Sequence, residues 1–570
     1  MFVQVVPVVR TPAGVDVFDY RLPAGFEARV GDLIRVPFRK QITPALVVAL
    51  LKTSPVAHKA LDAIDSYAGL SFPSSLVELL HWTAARTFTS KPTVLAAWMR
   101  QLPKRPTSIA FEAPKPRLTS GSLIAHWNMS ASAALVERAR VALKENQRVL
   151  LITPWKNRVL RYQQQLPGAQ GLHSDMADGQ AFQAWQAFVT GQTRCLITTR
   201  LGAWLSPVSD VVLIDEPEND DHKQDDLAPR YDARLMSAWC SRFAGTQVEG
   251  FGLTPPLHTR TIAPTITTPL HVIIRERQGR SSIPMVQADT LLLLKDHDGP
   301  RVIIHPIRGV AASLVCRDCG WRAICANCGF GLRAEKTNAV CRQCGKMADL
   351  PQDCGSCGGV DLGKAMPGIE QLKQAWQRHE QAERVEWRDQ SNESIDPPFP
   401  TGALVVITDG SLLGGGFEDV RRTERQCQTF RRLANRVAEC HGTLIIQSDE
   451  ALASSWHSWL TAEGVTAWQE RERHDRELFQ YPPAKRLVKI LVDGTEQEAI
   501  HWMEKAKPTI DPNAQWRGPF HIPFRAKSRR ERHVLHLIFL TDTTEQQLIT
   551  QLTPLARSAI IDLDPIAFFH

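Results

Sequence analysis

Long apolar runs are missing from this chain of 570 residues: no stretch approaches the roughly 18 uninterrupted apolar residues needed to span a bilayer. The opening MFVQVVPVVRTPAG has no basic segment leading into a long apolar one, so no secretory signal is read there. The expectation is a soluble, cytoplasmic protein without a membrane partner. Charge of one sign is not in great excess either. Against 67 Lys and Arg stand 60 Asp and Glu, and the net +7 permits an anionic partner without demanding one. Cysteine is sparse outside one short stretch, where Cys195, Cys240, Cys427 and Cys440 stand apart and read as buried apolar thiols. A secreted disulfide framework is disfavoured, because the other cysteines crowd into a small part of a long chain.

Those other cysteines form four Cys-x2-Cys pairs: Cys316/Cys319, Cys325/Cys328, Cys341/Cys344 and Cys354/Cys357. Each such turn sets two thiolates a metal-ligand bite apart, and two turns make the tetrahedral sulfur site that Zn2+ prefers, so four turns imply two Zn2+ ions. Every pair is followed by glycine (Gly320, Gly329, Gly345, Gly358), which adopts positive φ at no steric cost and lets backbone N–H groups turn toward sulfur. Five residues separate Cys319 from Cys325 and twelve separate Cys328 from Cys341. The short spacer favours nesting, with Cys316, Cys319, Cys354 and Cys357 on one ion and Cys325, Cys328, Cys341 and Cys344 on the other. Trp321 and Phe330 are the module's candidate exposed aromatics for a strand or a partner.

At one domain per ~150 residues, the length suggests three to five domains. Residues 1–104 alternate in short apolar runs broken by Pro/Gly turns, a β-rich unit, followed by a helix over SSLVELLHWTAARTF with Ser74 or Ser75 as cap. Residues 105–118 are proline-rich and read as a linker. Helices then alternate with apolar strands (RVLLITP, TRCLITTR, VVLIDEPE), which indicates βαβ units and a parallel sheet over 119–265. A second such run covers 266–312 and 361–451, interrupted by the cysteine module at 313–360. Residues 452–570 read as an α+β unit. Its segment RGPFHIPFRAKSRRERH carries Arg517, Arg525, Lys527, Arg529, Arg530 and Arg532, with Phe520 and Phe524 among them, a candidate phosphate and base contact surface. The fold class is thus a multidomain α/β chain.

Asp215 and Glu216 close an apolar strand, the location that holds Mg2+ and orients water in P-loop ATPases. Their required partner, a Gly-x4-Gly-Lys-Ser/Thr loop, occurs nowhere. In its place stands GSLIAHWNMSASAALVERA. Ungapped counting puts the phosphate-binding lysine near Ala131, its hydroxyl neighbour on Ser132 and the glycines near Asn128 and Ser130. Trp127 and Met129 occupy backbone that must pass close to phosphate oxygens, and no cation meets their charge.

The residues CRDCGW, IRGVAASLVCRDCG and IDEPENDDHKQDDLAPRYDARLM, together with LITTRLGAWLS, GLTPP, RTERQCQTFRRLANR and RELFQYPP in the family's order, resemble the PriA family of replication restart helicases. VFDYRLP and LIRVPFRKQ resemble that family's N-terminal domain. The resemblance implies two degenerate RecA-like helicase lobes, a zinc-binding insertion in the second, a β-rich N-terminal domain holding the 3′ end of a nascent strand, and a C-terminal domain for branched DNA. Phe18 and Asp19 match the 3′-end pocket, and Arg39 stands where that pocket has a glycine. The implied partners are forked and single-stranded DNA, other primosome proteins, replicative helicase loading factors and single-stranded DNA-binding protein. Nested zinc pairing is also the family's arrangement.

The departures bear on activity. A DEEH segment has become Asp215-Glu216-Pro217-Glu218, and the arginine that would stabilise transition-state charge falls on Glu439, although Arg436 remains. No ATP is expected as cofactor and no unwinding activity is expected, hence a scaffold that binds abandoned forks. The competing expectations are an active ATP-dependent 3′–5′ helicase with an unconventional site, a nucleotide sensor that does not hydrolyse, and a zinc-ribbon protein acting on RNA or in transcription.

Overall fold

The computed structural model describes residues 1–56, 62–103, 121–274, 283, 285–307, 313–316, 321, 323–326, 331–334, 338–341, 347–365, 368–379, 385–389, 391, 395–414, 420–522 and 532–567. The chain is a mixed α/β, multidomain protein built on two parallel sheets and three antiparallel ones.

The N-terminal sheet is antiparallel, in the order Phe18–Arg21, Phe2–Pro7, Gln41–Leu51, Asp32–Phe38, Asp65–Ser71. Alternation of side chains buries Val3, Val5, Val36 and Val47 on one face and Val6, Leu33 and Leu46 on the other. A two-residue hairpin turn at Arg39 and Lys40, both at positive φ (46° and 64°), joins the third and fourth strands. The helix Ser74–Arg86 follows, burying Leu76, Leu79, Leu80 and Thr83. Its N-cap is Pro73 and no side chain caps it. The serines expected as caps already lie inside the first turn, where proline's fixed φ starts the helix without them.

Two all-parallel sheets follow. The first has the order Leu123–Trp127, Gln247–Gly252, Val211–Asp215, Val149–Ile152, Cys195–Thr198, Gln170–Leu172. Its central strands are buried at every position, as a sheet covered on both faces requires. The second runs Leu270–Ile274, Thr443–Ser448, Leu404–Ile407, Arg301–His305, Val385–Asp389. Between its strands sits the cysteine module, five short antiparallel strands from Ser313 to Ala365. The C-terminal sheet, Gln515–Ile522, Arg532–Phe539, Arg486–Asp493, Ile560–Leu563, is antiparallel. Its helices Glu496–Ala506 and Glu545–Leu552 each start on a capping box, Thr495/Glu498 and Thr544/Gln547.

The cores do not respect the sequence divisions. Leu76, Leu95 and Trp98 pack in one cluster with Leu150, Trp185 and Trp204, so the N-terminal unit and the first parallel-sheet unit share a core. Trp98 stacks on Trp204 with centroids 6.3 Å apart and planes at 8°. Trp456, Trp459 and Trp468 pack with Phe430 in the second parallel-sheet unit. The helices Glu450–Ser458 and Ala462–Leu478 are thus anchored there, and the division at residue 452 falls inside a packed core. Leu253, Leu257 and Ala263 join the same core ahead of residue 266. An amphipathic helix shows which face is buried, not which neighbour buries it.

Candidate functional site

The strand Val211–Asp215 carries Asp215 to its C-terminal end, in register with Val149–Ile152 beside it. Thr153, one residue beyond that neighbour, donates its hydroxyl to Asp215 Oδ2 at 2.9 Å. Glu216 turns away at φ +48°, which aims its carboxylate across the strand ends. The helix Lys156–Gln165 then delivers Arg158 into the same place. That guanidinium is 1 % exposed and donates Nη1 to Asp215 Oδ2 at 2.7 Å, Nη2 to Glu216 Oε1, and Nε to Asp396 Oδ1 at 2.8 Å. Asp396 comes from the second parallel-sheet unit, next to Ile395 in its core.

A cleft of about 420 Å3 opens beside this cluster, lined by Asn128 to Ala133 on one side and Arg432, Asn435, Arg436 and Glu439 on the other. Asn128, Ser130, Ala131 and Ser132, the positions counted out for a phosphate loop, therefore do face it. They bring no cation. Asn435 Nδ2 crosses to the Met129 carbonyl at 3.1 Å and also donates to Glu439 Oε1 at 2.9 Å. Arg436 faces the cleft, but its Nη2 is held by Asp396 Oδ1 at 2.7 Å. Arg161 donates to Asp396 Oδ2 at 2.8 Å, and Arg432 reaches Glu216 Oε2 at 3.3 Å. Four guanidiniums (Arg158, Arg161, Arg432, Arg436) pair with three carboxylates (Asp215, Glu216, Asp396), and Glu439, which lines the cleft and accepts from Asn435, brings the formal count to zero.

The titration of the site follows. Burial would raise the Glu216 carboxyl, yet Arg158, Arg432 and Arg436 outweigh it and hold the pKa down at about 2. Arg158, despite its burial, is pushed well above the usual guanidinium value by Asp215, Glu216 and Asp396. Glu218 behaves in the opposite way. Burial and the neighbouring Glu216 charge push it up to about 7, although it accepts backbone N–H groups from Leu253 at 2.9 Å and Thr254 at 3.1 Å.

In the cysteine module, Cys316, Cys354 and Cys357 place their sulfurs within 4.8 Å of one another, with Cys316 Sγ 3.6 Å from Cys357 Sγ. The N–H groups of Ser356 and Cys357 point at Cys354 Sγ at 3.3 and 3.4 Å, and Gly358 takes φ +70° at the end of that turn. Three thiols with backbone donors aimed at one sulfur fit a thiolate-bound metal ion. Cys325 and Cys341 are buried nearby, while Cys319, Cys328, Cys344, Gly320, Gly329, Gly345 and Phe330 lie outside the described residues. Trp321 is half-buried, and a Cβ on Gly355 would come within 2.8 Å of its ring, so this indole packs against the cysteine turn.

At the N-terminal unit, Phe18 meets Phe38 edge-on at 5.0 Å, and the Arg39 guanidinium lies 5.5 Å over the Phe38 ring. Asp19 accepts from Gln4 Nε2 at 3.2 Å and Ser54 Oγ at 2.5 Å. Arg39 keeps the positive φ that glycine favours, so the turn persists with a cation added. In the C-terminal unit Arg532 is paired with Asp493, and Arg517 donates to the Phe479 carbonyl at 3.2 Å while lying over Tyr481. Arg525, Lys527, Arg529, Arg530 and Phe524 lie outside the described residues, as does the linker at 105–118. No described helix is long and apolar enough to cross a membrane.

Arg158 and Asp396 are the residues that sequence reasoning missed. A single arginine in a helix after a strand carries no motif, and its partner lies 238 positions away.

Residues 7–100 match the family of the PriA 3′DNA-binding domain (3′BD). The chain is also similar to curated proteins called replication restart protein PriA. That of Haemophilus influenzae is 23% identical over 461 residues, covering 69% of this chain and 62% of the relative. That of Chlamydia muridarum is 22% identical over 473 residues, covering 70% and 61%. That of Rickettsia felis is 21% identical over 589 residues, covering 87% and 88%. The chain thus spans less than two thirds of the first two relatives and most of the third.

Proposed function

We propose that this chain, a PriA-type protein, acts in replication restart by binding abandoned forks as a scaffold, without an ATP-driven motor. The observation that carries the second half is Arg158. Its guanidinium occupies the space between Asp215 and Glu216 where a metal–phosphate group would have to sit. The polyphosphate of a nucleotide carries several negative charges, and among the described residues this cleft has no unpaired positive charge to set against them. Displacing Arg158 would take the shared cation from three buried carboxylates at once, a cost that nucleotide binding would have to offset.

On this reading the two parallel-sheet units are degenerate RecA-like lobes, and all work on DNA comes from binding energy. Phe18, Phe38 and Arg39 offer stacking and charge to a 3′ terminus, with Asp19 held by Gln4 and Ser54 to receive a hydroxyl donor. The basic C-terminal segment around Arg525, Lys527, Arg529, Arg530 and Arg532 would meet phosphates of a branched duplex. Two Zn2+ ions would be held by the eight paired cysteines, and the metal would supply cross-linking of the short strands, not chemistry on substrate. The partners are single-stranded DNA, single-stranded DNA-binding protein, other primosome proteins and helicase loading factors, and the site of action is the cytoplasm.

Two assays on purified protein decide the reading. Phosphate release from Mg-ATP stays at background with forked DNA present, and band shifts favour forks over linear duplex with affinity falling as salt rises. DNA-stimulated turnover abolished by Asp215→Asn would establish a helicase instead, and equal affinity for fork and duplex would remove fork recognition.

A further inference from the structure

Arg158 belongs to the first parallel-sheet unit, and its Nε ends on Asp396 of the second. Asp396 gathers two more guanidiniums, from Arg161 of the first unit and Arg436 of the second, and its side chain is wholly buried. The crossing is reciprocal. From the second unit, Arg432 reaches Glu216, and Asn435 reaches the Met129 carbonyl. The indole of Trp155 lies between one cation from each side, Arg158 at 4.6 Å and Arg432 at 4.9 Å from its ring centroid. Further along, Arg421 and Arg425 both pair with Asp220 of the first unit, at 2.8 and 2.7 Å. Arg421, Arg425, Arg432 and Asn435 follow one face of the helix Arg422–Glu439 and its N-cap, so a whole helix face is committed to the other unit.

A ligand shifts a conformational equilibrium only by its differential affinity for the two states. Here the charges that a bridging ligand would neutralise are already neutralised within the chain. We infer that the Arg158–Asp396 network is a permanent bolt, which holds the two parallel-sheet units closed in one fixed arrangement with no ligand required. The N-terminal unit shares a core with the first of them and the cysteine module interrupts the second, so the bolt presets the spacing of both before any partner arrives. The inference rests on the cleft alone and stands whether or not the chain acts on forks.

The test uses the full chain in solution. Small-angle scattering of the wild type gives one radius of gyration, the same with and without Mg-ATP, and amides of Lys156–Gln165 and Arg422–Glu439 are strongly protected from hydrogen exchange without nucleotide. Asp396→Asn, which removes the shared charge and keeps the shape, increases the radius of gyration and speeds exchange in those two helices at least roughly tenfold. Should that variant not fold, Arg432→Gln removes one crossing pair from the less deeply buried side and speeds exchange in the same helices to a smaller degree. Compaction of the wild type by Mg-ATP would overturn the bolt. So would wild-type exchange in these helices at the rate of frayed ends, or a folded Asp396→Asn with unchanged scattering and exchange.

Discussion

Two junctions hold the first parallel-sheet unit to its neighbours, and they are made of opposite materials. Toward the N-terminal unit the junction is aromatic: Trp98, Trp185 and Trp204 are buried, with Trp204 stacked on Trp98 and edge-on to Trp185 at 5.4 Å. Toward the second parallel-sheet unit it is ionic, with Arg158 sealed among three carboxylates. Apolar contacts are non-directional and tolerate small shifts, so the first junction gives adhesion. Buried ion pairs return their desolvation cost only in near-ideal geometry, so the second gives position.

The widest gap between the junctions comes from removing Arg158. Arg158→Ala leaves Asp215, Glu216 and Asp396 buried without their shared cation, a loss of about 4 kcal/mol in urea unfolding. Adding Asp215→Asn to that variant restores part of the loss, because it brings the remaining guanidiniums and carboxylates back to equal number and the penalty is uncompensated charge, not a missing contact. At the aromatic junction Trp204→Ala costs about 3 kcal/mol through the cavity it leaves. No polar substitution nearby rescues it. If the double variant were no more stable than Arg158→Ala, the distinction between adhesion and position would fall.

Glu218 sharpens the comparison through pH. Its ordinary pKa is near 4.5 and the folded value is about 7, so between these values the folded chain holds a proton that the unfolded chain has released. Stability therefore declines as pH rises through that window, and the full penalty is present above pH 7. Glu218→Gln keeps an acceptor for the Leu253 and Thr254 N–H groups and carries no charge. It is expected to be more stable than the wild type at pH 8 by about 2 kcal/mol, with the gain vanishing near pH 4. Melting temperatures across that range check it, and Trp204→Ala gives the control, a deficit that does not vary with pH.

Much of this fold was legible in the residues. Period-2 alternation marked the N-terminal sheet and continuous runs such as VVLID marked the buried parallel strands, because side-chain burial dictates both patterns directly. The absence of a phosphate loop was legible as well. The Arg158–Asp396 pair was not legible, since the two become partners only when two sheets are stacked, and no local pattern encodes that. The same limit applies near residue 452: Trp456 and Trp459 announce burial but not the unit that buries them.

Arg39 offers the smallest effect and the finest test of position against adhesion. Its φ of +46° is costly for a residue with a Cβ, by roughly 1 kcal/mol, while its guanidinium over Phe38 returns about 0.5 kcal/mol at an exposed site. Arg39→Gly should therefore stabilise the chain slightly, by about 0.5 kcal/mol, in the same urea experiment. If the cation is there for a nucleic-acid phosphate, the same substitution weakens binding to a single strand with a free 3′ end and lowers the salt slope by about one charge. A variant that is both more stable and equally tight on DNA would mean that Arg39 occupies its strained turn for neither purpose, and the reading of the Phe18–Phe38–Arg39 cluster as a strand-end contact would have to be given up.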